Sequence, residues 1–136
     1  MNDILQNLHQ TLQRIDKACK AANREPGEVK LLLATKTVSP ENIKIALNAG
    51  QTLIGENKVQ EVKEKYHELS SINHTNHFIG HLQTNKIKDL LRCDIKCIES
   101  IDRLHLAEKL EQRLTFENKQ MDVLIQVNTS GEESKF

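Results

Sequence analysis

Lys36 stands where a side chain can do chemistry. In LLLATKTVSPENI, Leu31 to Ile43, an apolar run breaks off almost directly into this lysine. A lysine beside a buried strand loses water, which disfavours the ammonium and leaves a nucleophilic amine. Such an amine condenses with an aldehyde or ketone to a Schiff base. The same position also suits a lysine whose stem packs on the strand while its head reaches solvent. Other polar groups follow apolar runs in the same way: Gly55-Glu56-Asn57, then Gly80, His81, Gln83 and Asn85, then Glu99 and Ser100, then Asn128-Thr129-Ser130. Asn57 reads as a carboxamide facing a ligand or as the cap of a helix starting near Lys58. Thr84-Asn85-Lys86 reads as an anion site at a helix start or as ordinary capping. His74, His77 and His81 have no strong zinc spacing and no evident fourth ligand, so no metal is expected. Cys93 and Cys97 form C-x3-C without a second pair, and with Cys19 the count is odd, so all three read as reduced and structural. Glu61 to Glu64 reads as a solvated helix face.

These groups need elements to position them. Apolar residues at Ile4, Leu5, Leu8, Leu12, Ile15, Cys19 and Ala22 mark one face of a helix, capped by Asn2 or Asp3 and broken at Pro26-Gly27. Val29 to Ala34 reads as a strand buried on both faces. Ser39-Pro40-Glu41 starts a helix that runs to about Asn48 and closes at Gly50. The cycle repeats with a strand at Thr52–Ile54, a loop at Gly55–Asn57 and a helix at Val59–Leu69. Next come a strand at His77–Ile79, a helix at Asn85–Arg92, a strand at Ile95–Ile98 and a helix at Ile101–Leu114. A fifth strand spans Met121–Val127. Alternation with short connections predicts a parallel sheet with right-handed crossovers, and ligands in such folds bind past the carboxyl ends of the strands. The polar groups above then share one rim.

The chain has 136 residues, which suits a single domain, 1–136. Its 19 basic and 19 acidic residues cancel, which gives no electrostatic case for nucleic acid or an anionic membrane as partner. Apolar runs fall far short of the roughly 20 residues that span a bilayer. MNDILQNLHQ lacks the basic and apolar regions of a secretory signal. A cytoplasmic location is expected.

Together ATKTVSPENI, IGENKVQEV, HFIGHLQTNKIK and VLIQVNTSGEESKF, in this order and spacing, closely resemble the YggS/PROSC family of pyridoxal 5'-phosphate homeostasis proteins. The resemblance runs over essentially the whole chain. It implies a (β/α)8 barrel like the N-terminal domain of alanine racemase, of which about the first five strands are present here. It implies pyridoxal 5'-phosphate held as a Schiff base on Lys36, with Asn57 beside the cofactor and His81, Gln83 and Asn85 on the same rim. It implies a carrier or regulator of the cofactor without established turnover, monomeric at full length. Racemase or aldolase chemistry on the same lysine is the alternative. A two-base racemase needs a second acid/base group, and Tyr66, the one tyrosine, falls within a helix. The family's phosphate-binding loops come from later strands that this chain lacks. Five strands leave two open edges, so self-association of an inactive fragment is a further expectation.

Overall fold

The computed structural model describes residues 2–134, with Asn2 described by its backbone alone. The side-chain cap expected of Asn2 and the last two residues of the VLIQVNTSGEESKF motif lie outside the described residues. The order is α1 (Asn2–Ala21), β1 (Leu33–Ala34), α2 (Pro40–Asn48), β2 (Leu53–Glu56), α3 (Val59–Leu69), β3 (Thr75–Phe78), α4 (Ile87–Leu91), β4 (Ile95–Ile101), α5 (Leu104–Phe116) and β5 (Asp122–Ile125). Short 3-10 turns at Pro26–Glu28 and Thr84–Lys86 precede β1 and α4.

The five strands form one parallel sheet in the order β1-β2-β3-β4-β5. Each strand lies beside the next in the chain, so the sheet never reverses direction as a doubly wound sheet does. Successive right-handed crossovers then lay every helix on one face. The contacts of α1 with α2, α2 with α3, α3 with α4 and α4 with α5 form that single layer. This is the winding of a (β/α)8 barrel, present here as a partial barrel of five strands.

Two clusters hold the helices to the outer face of the sheet. Ile54 of β2 packs with Ile43 and Leu47 of α2 and Leu69 of α3. Phe78 of β3 and Ile95, Ile98 and Ile101 of β4 pack with Val59, Val62, Leu90, Leu106 and Leu110. The core is aliphatic apart from Phe78, as the scarcity of aromatics requires. Ser39 caps α2 by accepting from the Asn42 N–H, with Pro40 in the first turn, as the Ser-Pro-Glu signal predicts.

Strand boundaries differ from expectation: β3 spans Thr75–Phe78, β4 continues to Ile101, and β5 is confined to Asp122–Ile125. Regular pairing confines β1 to Leu33–Ala34, and Val29 to Leu33 is half-buried or exposed rather than buried on both faces. Among the described residues β1 pairs with one strand, β2. β2 runs on through Glu56, because the Glu56 carbonyl accepts from the Ile79 N–H and extends the ladder past the apolar residues.

β5 is the other edge, and it is bare. Val123, Leu124, Ile125 and Val127 are 38%, 55%, 68% and 71% exposed. A continuous apolar edge strand templates pairing with another chain. We expect the purified chain to grow in mass with concentration in sedimentation velocity, and the pair Leu124→Lys and Ile125→Glu to suppress that growth. A monomer across the accessible range would contradict this.

Candidate functional site

The strands are parallel, so the residues after β1, β2 and β3 emerge at one end of the sheet. Lys36 follows β1, Asn57 follows β2, and Gly80 and His81 follow β3. The loops are drawn together at Gly80, where a Cβ would lie 2.0 Å from the Asn57 carbonyl oxygen and 2.7 Å from its Cα. Only a residue without a side chain lets the β3 loop close on the GEN loop this tightly.

Lys36 is exposed, not partly desolvated as the flanking run predicts. Its strand has a neighbour on one side only, and the helix that follows starts four residues later, at Pro40. What the structure supplies instead is a fixed backbone. Thr37 has φ +63, a left-handed conformation that a β-branched residue rarely adopts. Two groups from α3 hold the chain there. The Thr37 N–H donates to Glu61 Oε2 at 2.9 Å, and Lys65 Nζ donates to the Thr35 carbonyl at 2.8 Å. Lys36 is thus bracketed on both sides by bonds from one helix.

The two bracketing groups belong to one charge cluster. Lys65 Nζ also donates to Glu56 Oε2 at 2.7 Å and to Glu61 Oε2 at 2.9 Å. The Thr35 hydroxyl donates to the same Glu56 oxygen at 2.8 Å. Glu56 and Lys65 are buried, with side chains 1% and 9% exposed. Burial pushes the Glu56 carboxyl above the ordinary range, against the hydrogen bonds from Lys65 and Thr35. Burial also works against the Lys65 ammonium, but hydrogen bonds to Glu56 and Glu61 prevail and hold it above the usual lysine value. The hydrogen bond from Lys65, with the Thr37 N–H next, lowers Glu61 below the ordinary carboxyl range.

Glu61 and Lys65 were not legible as site residues, and Glu56 was placed on the rim without a role. Glu56 reads as loop, and Glu61 reads as part of a solvated face. The available signal was the Glu61–Lys65 spacing of four on one helix, which is common on exposed faces. The pH response separates the two uses. The depressed Glu61 carboxyl contributes stability above its ordinary value of 4.5 and loses it as pH falls through the depressed value. Glu61→Gln is therefore less stable than the parent at pH 7, and the gap closes progressively below pH 4.5. Urea unfolding of both proteins from pH 7 to pH 3 reads this, and a constant gap would contradict it.

Asn57 does not cap α3. The capping position is Lys58, without a side-chain bond, and Asn57 Oδ1 is buried with no hydrogen-bond partner among the described residues. An unsatisfied buried acceptor carries a penalty of about 1–3 kcal/mol. Asn57, His81 and Gln83 line a cleft of about 220 Å³ with Lys58, Lys63 and Lys86. His81 is half-exposed, with Nδ1 at 3.7 Å from Asp102 Oδ2. Asn85 is exposed in the turn before α4 and lines a different groove, with Lys109 and Phe116. The structure thus unites Asn57, His81 and Gln83 and sets Asn85 apart. Glu99 and Ser100 lie inside β4 rather than beyond it, because β4 continues to Ile101.

The three histidines do not converge: His74 bonds the Ile72 carbonyl, His77 bonds Glu99, and His81 faces Asp102. The cysteines are buried and unpaired in disulfides, and burial pushes the Cys93 and Cys97 thiols up. Tyr66 packs half-buried against the outer core, away from the strand ends.

The residues at the strand ends fit a carbonyl cofactor: an accessible amine on a rigid backbone and an unsatisfied buried carboxamide on the next strand. Among the described residues no helix is long and apolar enough to cross a membrane. No protein-family model matches the chain. Curated relatives do. The chain is 45% identical over 130 residues to a pyridoxal phosphate homeostasis protein of Aquifex aeolicus, covering 96% of this chain and 57% of that one. It is 42% identical over 135 residues to the protein of the same name in Haemophilus influenzae, covering 98% and 56%. The chain therefore spans somewhat over half the length of these relatives. Among solved structures, a protein of unknown function from Bifidobacterium adolescentis aligns with TM-score 0.87 and 38% identity over 98% of this chain and 58% of that one. PipY of Synechococcus elongatus, with PLP bound, aligns with TM-score 0.74 and 28% identity over 87% and 56%.

Proposed function

We propose that this chain, which belongs to the pyridoxal phosphate homeostasis protein family, carries that family's cofactor-holding lysine at Lys36 and serves as a non-catalytic holder of pyridoxal 5'-phosphate. The cofactor supplies an aldehyde that a primary amine captures reversibly. Lys36 provides the amine, Asn57 offers its buried carboxamide oxygen to the bound molecule, and Gly80 lets the third loop close over that asparagine. His81 shares the Asn57 cleft and shapes its rim, and Asn85 sits at the periphery. The bracketing of Lys36 by Lys65 and Glu61 is the single observation that carries the reading. It fixes the backbone at one exposed lysine. A rigid backbone under a reactive group reduces the ordering that binding requires.

A holder rather than a turnover enzyme is favoured by the surroundings of Lys36. Proton transfer in a two-base racemase needs a second group opposite the lysine, and Tyr66 is packed in the helix layer.

Titration of the purified chain with pyridoxal phosphate tests the reading. A saturable visible band that Lys36→Ala abolishes is expected. An equal band in Lys36→Ala would overturn it.

A further inference from the structure

We propose that His77, Cys97 and Glu99 form a binding site for a divalent cation of the zinc class on the inner face of the sheet, the face opposite the helices. Their ligand atoms, one from each side chain, all lie within 4.8 Å of one another. An imidazole nitrogen, a thiol sulfur and a carboxylate oxygen are the donor types that zinc takes, and three protein donors leave a fourth position for water.

The placement comes from the backbone. His77 precedes Phe78, whose ring is fully buried in the outer core, so alternation turns His77 to the inner face. On β4 the register steps from Asn76↔Ile95 to His77↔Cys97, which places one extra residue, Lys96, in β4. Such a bulge re-aims the side chains that follow it. Ile95 and Ile98 both reach the outer core, although they are three apart. Cys97 and Glu99 flank Ile98 and take the other face. A regular ladder would have set Cys97 on the same side as Ile95. With the bulge, Cys97 stands directly across from His77.

The cluster is semi-enclosed. Cys97 is 7% exposed, and the His77 and Glu99 side chains are 19% and 28% exposed, which shelters the donors yet leaves an approach for an ion. His77 Nδ1 lies 2.6 Å from Glu99 Oε1. Among the described residues the Cys97 sulfur has no hydrogen bond that would compete with an ion. Adjacent donors around a tetrahedral zinc lie about 3.3–3.8 Å apart, given bonds of about 2.0–2.3 Å. Side-chain movements of about 1 Å draw the wider pairs in and open the His77–Glu99 pair from 2.6 Å to that spacing, and the thiol gives its proton to solvent as the sulfur bonds the ion. On β5, Asp122 is the register partner of Cys97 and stands outside the three-donor cluster. The nineteen residues between His77 and Cys97 hide the site from any reading of motif spacing.

Cobalt(II) titration of the purified chain under reducing conditions tests this, because cobalt reports thiolate ligation through an intense near-ultraviolet charge-transfer band. We expect a saturable one-to-one band that equimolar zinc displaces. Cys97→Ser should remove the band, and Glu99→Gln and His77→Ala should each weaken binding more than tenfold. Cys19→Ser, remote in α1, should leave the band intact. Circular dichroism confirms that each variant is folded; Glu99→Gln, at a half-exposed side chain, decides the matter if the buried substitutions unfold the chain. The absence of a saturable band, or a band unchanged in Cys97→Ser or Glu99→Gln, would overturn the proposal.

Discussion

Lys65→Met is expected to destabilise the chain by about 3–5 kcal/mol, the usual result of removing one partner from a buried ion pair. The lysine side chain is 9% exposed and its partner Glu56 1%, so water cannot replace the lost ammonium. The Glu56 carboxylate would retain the hydrogen bond from the Thr35 hydroxyl, and the Thr35 carbonyl would keep the Val38 N–H but lose its donor from α3 beside Lys36. A domain of this size has about 5–15 kcal/mol in hand, so the loss brings it near the unfolding threshold. Urea unfolding checks this: the midpoint should fall with the slope unchanged. Glu56→Leu together with Lys65→Met should recover most of the loss, since an apolar pair of similar volume avoids burying charge. The double variant should still bind pyridoxal phosphate less tightly, because the Thr35 carbonyl then keeps the Val38 N–H but loses its tie to α3. A double variant no more stable than Lys65→Met alone would show that the cluster is not a buried pair.

Gly80→Ala is the second large effect. The added methyl would meet three backbone atoms of Asn57 at 2.0, 2.6 and 2.7 Å, and no rotamer change relieves a clash with backbone. Overpacking of this kind costs about 1–3 kcal/mol, occasionally more. Here the strain falls on the loop that carries the unpartnered carboxamide, so pyridoxal phosphate binding should weaken beyond what the stability loss explains. Gly27→Ala is the control, because its Cβ would meet nothing within 4 Å. It should unfold at the parent midpoint or slightly above, since removing a glycine stiffens the unfolded chain. Equal behaviour of the two alanines in urea would contradict the close approach at Gly80.

Periodicity was a good guide where one helix met one face of the sheet. α3 has the predicted bounds, Val59–Leu69, because Val59, Val62 and Leu69 repeat on its buried side. The alternation of elements correctly implied parallel strands, and the family motifs correctly implied a barrel segment rather than a doubly wound sheet. Polar residues within strands were harder. Glu56 looked like a loop residue because its burial depends on Lys65, nine positions on, and becomes visible only once α3 folds back over β2. Lys65 drew no reading of its own for the same reason. The solvent exposure of Lys36 could not be read from its apolar neighbours, because it depends on which strands flank β1. The meeting of His77 with Cys97 depends on a bulge, and a bulge leaves no periodic trace.

The most direct test of the central claim is to trap pyridoxal phosphate on the chain with borohydride and locate the label by peptide mapping. The sequence offers many lysines, and a free aldehyde reacts with any exposed one. At limiting cofactor the account predicts a single phosphopyridoxyl adduct on Lys36, reduced in yield in Gly80→Ala. A label spread over the surface lysines, or concentrated on one other than Lys36, would contradict it.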